Sequence, residues 1–80
     1  MFTCESHRPI RAESMIEAAT QFAARKARAA FGRKGYVRLC NLESWASDGS
    51  LAEYNAFIGY RSAPGETTGH NVRFTVYQRD

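Results

Sequence analysis

The spacing of apolar positions changes along this chain, and each change marks an element. Over Ser14–Phe31, SMIEAATQFAARKARAAF, Met15, Ile16, Ala19, Phe22, Ala23, Ala27 and Ala30 gather on one face of a helical wheel. Glu17, Gln21, Arg25 and Arg28 lie opposite. Ser14 followed by Glu17 predicts a capping box, in which the hydroxyl takes the Glu17 amide and the carboxylate reaches back to the Ser14 amide. Gly32 supplies a residue suited to positive φ at the other end. Nothing between them breaks a helix, and alanine, the best helix former, dominates the segment.

Elsewhere the period falls to two. Residues 1 to 12 read as one N-terminal strand with a kink, because Phe2 and Cys4 alternate with Thr3 and Glu5 before Pro9 interrupts the donors. YVRLCNLESW, residues 36 to 45, carries apolar side chains on both strand faces, as in a sheet covered partly on both sides. Asp48-Gly49 is a strong hairpin signal, and LAEYNAFIGYR, residues 51 to 61, alternates at Ala52, Tyr54, Ala56, Ile58 and Tyr60. Gly59 inside that run marks a bulge or a close backbone approach. SAPGETTGH, residues 62 to 70, reads as a mobile loop. In NVRFTVYQR, residues 71 to 79, Val72, Phe74 and Val76 point one way while Arg73, Thr75, Tyr77 and Arg79 point the other. The expected fold is α+β: a single domain over residues 1–80, ordered β-α-β-β-β, with one helix packed on an antiparallel sheet.

Totals narrow the picture. A chain of 80 residues supports one small core, burying only about 60% of the surface its unfolded form exposes. Hydrophobic residues make up 44% and charged ones 24%, which is ordinary globular composition. No apolar run approaches the roughly 20 residues that span a bilayer. The opening residues lack the apolar core of a signal peptide, so the expectation is a cytoplasmic protein with no membrane association. Cys4 and Cys40 read as reduced, partly buried thiols, and with His7 and His70 they match no compact zinc-ligand spacing. Trp45 beside the turn reads as a cap on the core, with an exposed anchor as the alternative.

The net charge of +3 permits an acidic partner without demanding one. Arg25, Lys26, Arg28, Arg33 and Lys34 form the densest cationic stretch, at a helix C-terminus where they offset the macrodipole or present a basic knob to phosphates or an acidic protein. A second set interleaves cations with rings: Tyr36 and Arg38, Tyr60 and Arg61, then Arg73, Tyr77 and Arg79. Such pairing suits stacking on single-stranded nucleic acid, a protein interface, or plain cross-strand pairing on a solvated face. Neither histidine has a carboxylate or nucleophile at a telling spacing, and no phosphate-cradling glycine loop is present. The expectation is therefore a protein that is not an enzyme, with no catalytic residues, cofactor or metal.

With Ile10-Arg-Ala-Glu-Ser14, then Ala18, Ala19, Phe22 and Ala23, then Gly35-Tyr-Val-Arg-Leu39, the chain resembles very small proteins of phages and mobile elements. Some of these are anti-CRISPR proteins that inhibit type I Cascade surveillance complexes. The resemblance implies a non-enzymatic inhibitor that docks on Cascade subunits and blocks hybridisation of target DNA to the guide RNA. It supplies no residue roles to carry over, so the candidate contacts remain the exposed Arg, Lys and Tyr side chains above. Truncating Arg38, Arg73 or Tyr77 is expected to weaken such inhibition. Mild basicity departs from the acidic, DNA-mimicking members of that class and favours steric blocking. The alternative is a small basic nucleic-acid-binding accessory protein of phage or bacterial origin, and either reading allows a monomer or a homodimer that pairs an open strand edge with its own copy.

Overall fold

The structure, a computed structural model, describes residues 1–4 and 9–79. Strand β1 (Phe2–Cys4) precedes helix α1 (Met15–Phe31), a 3-10 turn over Gly32–Lys34, and strands β2 (Tyr36–Trp45), β3 (Leu51–Ala63) and β4 (Glu66–Gln78). The four strands form one antiparallel sheet in the order β1-β4-β3-β2, with α1 lying on one face. This is the α+β arrangement expected from the pattern.

Ser14 caps the helix, its hydroxyl accepting from the Glu17 amide at 3.3 Å. The Glu17 carboxylate accepts from the Glu13 amide instead of the Ser14 amide, so the reciprocal half of the box is displaced by one residue. At the far end the Gly32 amide donates to the Arg28 carbonyl with Gly32 at φ 69°. The buried helical side chains are Ala18, Ala19, Phe22, Ala23 and Ala27. The seam is thus rotated from the wheel, leaving Ile16 and Ala30 exposed. Small residues set the position, because alanines let the helix sit close to the sheet while Phe22 reaches Phe74, their rings 4.9 Å apart.

Alternation on β3 and β4 supplies the other half of the core. Ala52, Tyr54, Ala56 and Ile58 pair across the ladder with Val76, Phe74, Val72 and His70, all on the helix side. Two readings of the sequence change. Residues 62 to 70 are not a loop: β3 runs to Ala63 and β4 resumes at Glu66, a tight turn at Pro64-Gly65 closing a long ribbon. The N-terminus is not one kinked strand either. Ile10 turns back to pair with Phe2, exchanging amide and carbonyl bonds of 3.0 and 2.6 Å, which buries Ile10 completely. His7 lies outside the described residues.

Gly59 makes the close approach its place in a strand implied. It sits opposite Gly69, and a Cβ on either would meet the facing backbone and the Phe57 ring. Phe57 therefore lies over the glycine pair and covers backbone that has no side chains of its own.

The rotated helix seam has a direct consequence. Ile16→Ala is expected to leave stability within about 0.5 kcal/mol, as for an exposed site. Ala18→Leu is expected to cost about 1–3 kcal/mol by overpacking, and urea midpoints of the two variants distinguish this seam from the wheel's. In the β2–β3 turn, the Ser50 hydroxyl and amide donate to the Asp48 carboxylate at 2.6 and 2.9 Å and hold it below the usual carboxylate range. A depressed folded value means that this contribution is complete above the ordinary carboxylate pKa and is lost as pH falls through the lowered one. The Ser50 amide chemical shift should titrate below the ordinary carboxylate value; a midpoint at that value would remove the turn bond.

Candidate functional site

Charge is sorted lengthwise. The N-terminal end of α1 carries Glu13 and Glu17, and its last turn carries Arg28, an order that complements the helix macrodipole. Phe31 stacks near Tyr60 and His70, with centroids 5.2 and 6.0 Å away, so the helix C-terminus lies toward the β3–β4 turn. The strand register extends the sorting. Glu43, Asp48 and Glu53 fall with the helix N-terminus, while Arg38 and Arg61 fall with its C-terminus.

Seven of the ten described cations, Arg25, Lys26, Arg28, Arg33, Lys34, Arg38 and Arg61, occupy that basic end, where Glu66 is the one described acid. The molecule is elongated, 44 × 22 × 20 Å, so the two charge groups are well separated. Among the described residues the ion pairs are those of Arg73, 3.8 Å from Glu43 and 4.0 Å from Glu53, both largely exposed. The cations of the basic end have no ion-pair partner among the described residues.

Three features shape this end. On the sheet face away from the helix, the Arg38 guanidinium lies 6.0 Å from the Phe57 ring centroid, and the Tyr36 hydroxyl meets the Thr67 hydroxyl at 3.4 Å. Beyond Tyr60 only β3 and β4 continue, as a two-stranded ribbon carrying Arg61 and braced by a Thr68–Ser62 hydroxyl bond of 2.9 Å. Between α1 and β4 an open groove of about 560 Å³ has Phe22, Ile58 and Val72 in its floor and Arg25, Lys26 and His70 at its rim. The Lys26 ammonium lies over the Phe22 ring, 5.3 Å from its centroid.

Arg25, Arg28, Arg33, Lys34, Tyr36, Arg38, Tyr60 and Arg61 are therefore brought to one end, though not to one face. Tyr36, Arg38 and Arg61 belong to the open sheet face; Tyr60 turns to the helix side against Phe31. Arg73 is held among the acids, Tyr77 sits on β4 between Thr3 of β1 and Leu51 of β3, and Arg79 follows β4 with its amide on the Met1 carbonyl.

Periodicity missed a second group. Trp45 is 67% exposed and Leu39 57%, and Leu42 and Ile16 are also open to solvent. Trp45 is thus not a cap on the core. The apolar mixture on both faces of β2 was the signal, and it marks an edge strand whose faces are both partly uncovered.

Cys4 is buried and Cys40 is a half-buried free thiol. Burial pushes the Cys40 thiol up from its ordinary value, with a partial offset from the Thr20 hydroxyl, so it stays protonated and a poor nucleophile near neutral pH. Among the described residues no group of three or more His, Cys, Asp or Glu is arranged to hold a metal ion. Among the described residues no helix is long and apolar enough to cross a membrane. No protein-family model, curated protein or solved structure matches this chain.

Exposed pairs at 3.8–4.0 Å contribute little. Arg73→Ala should change unfolding free energy by no more than about 1 kcal/mol, measured by urea denaturation at low salt.

Proposed function

We propose that this protein is a non-enzymatic anti-CRISPR inhibitor that occupies a surface of a type I Cascade complex and presents its basic end to it. One observation carries the mode of contact: seven cations share one end and have no ion-pair partner among the described residues. Cations gathered in this way leave a field that an acidic surface or a nucleic-acid backbone neutralises. The target class rests on the resemblance of the segment from Ile10 to Leu39.

The chemistry favours blocking over imitation. A basic end cannot reproduce the charge of target DNA. It fits an acidic patch on a Cascade subunit, or the phosphates of the guide, where its bulk would hinder hybridisation. Arg33 and Lys34 stand on the 3-10 turn and Arg61 on the ribbon, so these side chains reach outward without holding the core together.

A second reading has its own support. Tyr36, Phe57, Arg38 and Arg61 place rings and guanidinium groups together on the open face, which suits stacked bases and phosphates. A nucleic-acid-binding accessory protein of this kind would lose affinity steeply with salt as counterions are released.

The test is co-purification of the tagged chain from a host carrying a type I CRISPR system, with target-DNA binding assayed on the eluate. Stoichiometric Cascade subunits with DNA binding abolished is the expected result. Nucleic acid alone, removed by moderate salt, would replace this reading with the second. The paired variant Arg33→Glu/Lys34→Glu should weaken Cascade affinity about tenfold or more, while Arg73→Ala leaves it unchanged. Full inhibition by the paired variant and by Arg61→Glu would remove the basic end from the mechanism.

A further inference from the structure

β2 is the outer strand of the sheet, and its free edge has no strand partner among the described residues. Ten residues long, it carries Leu39, Leu42 and Trp45 exposed, and Ile16 of the helix opens on the same side. Isolated surface leucines need no explanation, but a Trp 67% exposed among them on an unpaired edge does. We infer that this edge pairs with β2 of a second copy, antiparallel about a two-fold axis at Asn41.

The edge is complementary to itself. Residues directly opposite in an antiparallel pair share a sheet face. Centred on Asn41, the pairing sets Cys40 against Leu42 of the second copy on the helix side, and Val37 against Trp45. On the open face it sets Leu39 against Glu43, with Arg38 alongside that carboxylate.

The irregularities agree with this register. β2 is bulged between Val37 and Leu39 and again between Leu42 and Ser44. About Asn41 the stretch Arg38-Leu39 faces Glu43-Ser44 of the second copy, so the two bulges overlap within one residue and each side carries one extra residue between the Cys40–Leu42 and Val37–Trp45 pairs. A regular strand from another protein would meet both bulges without compensation, because bulges and edge charges discourage generic pairing. Another β2 meets neither problem.

Charge sorting points the same way. β2 starts at the basic end and finishes at the acidic one, so antiparallel pairing lays the basic end of each copy beside the acidic end of the other. Two bipolar molecules attract in this arrangement and repel in the parallel one.

Sedimentation equilibrium of the full chain tests the pairing. The expected result is a dimer that dissociates more readily as salt rises. Trp45→Ala with Leu42→Glu should give a monomer with unchanged far-ultraviolet circular dichroism, whose melting no longer depends on protein concentration. Arg38→Glu should weaken the dimer about tenfold by placing like charges together, and adding Glu43→Arg should restore it. Asn41→Cys in a Cys40→Ser background should yield a disulfide-linked dimer on oxidation, which a dimer using another surface would not. A monomer at every concentration that stays soluble would overturn the pairing. So would a dimer that ignores the Leu42 and Trp45 changes, or a monomer whose β2 edge is taken up by a strand of a different protein. None of these outcomes depends on Cascade binding, so this inference and the proposed function stand or fall separately.

Discussion

A single helix has to cover a four-stranded sheet, and the rest of this structure depends on that mismatch. At about 10 Å across, one helix is narrower than four strands spaced about 4.8 Å apart, whose outer axes lie about 14 Å from each other. The alanine seam of α1 makes the contact close, but small side chains cannot reach sideways to cover what the helix leaves open. Phe22 is the exception, extending to Phe74 on β4. The surfaces left uncovered are the helix-side edge of β2, the groove beside β4, and the ribbon beyond Tyr60. The β2 edge and the ribbon that carries Arg61 are two of these, whereas Arg25, Arg28, Arg33 and Lys34 stand on the helix and the 3-10 turn themselves.

The same geometry explains how charge becomes polar along the molecule. The macrodipole favours acids in the first turn of α1 and cations in its last. Gly35 then brings the chain back against the helix: a Cβ there would run into the Ala27 carbonyl, so the chain can begin β2 close under the helix C-terminus only with glycine. From that point the antiparallel ladder sets the level of every later residue. Arg38 and Arg61 are carried to the basic end and Glu43, Asp48 and Glu53 to the other. The helix sets the direction, and the sheet register propagates it.

What was legible in the sequence follows from the range of the forces involved. The helix cap, the bounds of β2 and the Asp48-Gly49 turn rest on interactions within a few residues, and local pattern shows them. The helix seam differs because the sheet decides it: Ala18, one turn before the Phe22 that packs on Phe74, is buried, and Ile16 is left exposed. Residues 62 to 70 look like a loop by composition, yet continuous cross-strand bonding, with Phe57 over Gly59 and Gly69, makes them ribbon. Interleaved rings and cations in sequence could not show that Tyr60 meets Phe31 of the helix, or that Arg73 lies among acids. Sequence leaves Trp45 open between a core cap and an exposed anchor for a related reason, since its exposure depends on β2 being outermost.

The two candidate surfaces are compatible because they lie on different parts of the molecule. Pairing through β2 joins two sheets side by side, and its two-fold axis sends the basic ends in opposite directions along the strands. Arg33 and Lys34 on the 3-10 turn, with Arg61 on the ribbon, remain outside the seam; of the basic-end cations, Arg38 alone lies in it. A dimer built this way presents two identical basic tips. A repeated acidic surface or a continuous phosphate backbone could then be held at two points, and the second contact would form at the high effective concentration that the first one creates. Modest charge on each chain is then sufficient, because two weak tips held in fixed register bind more tightly than either alone.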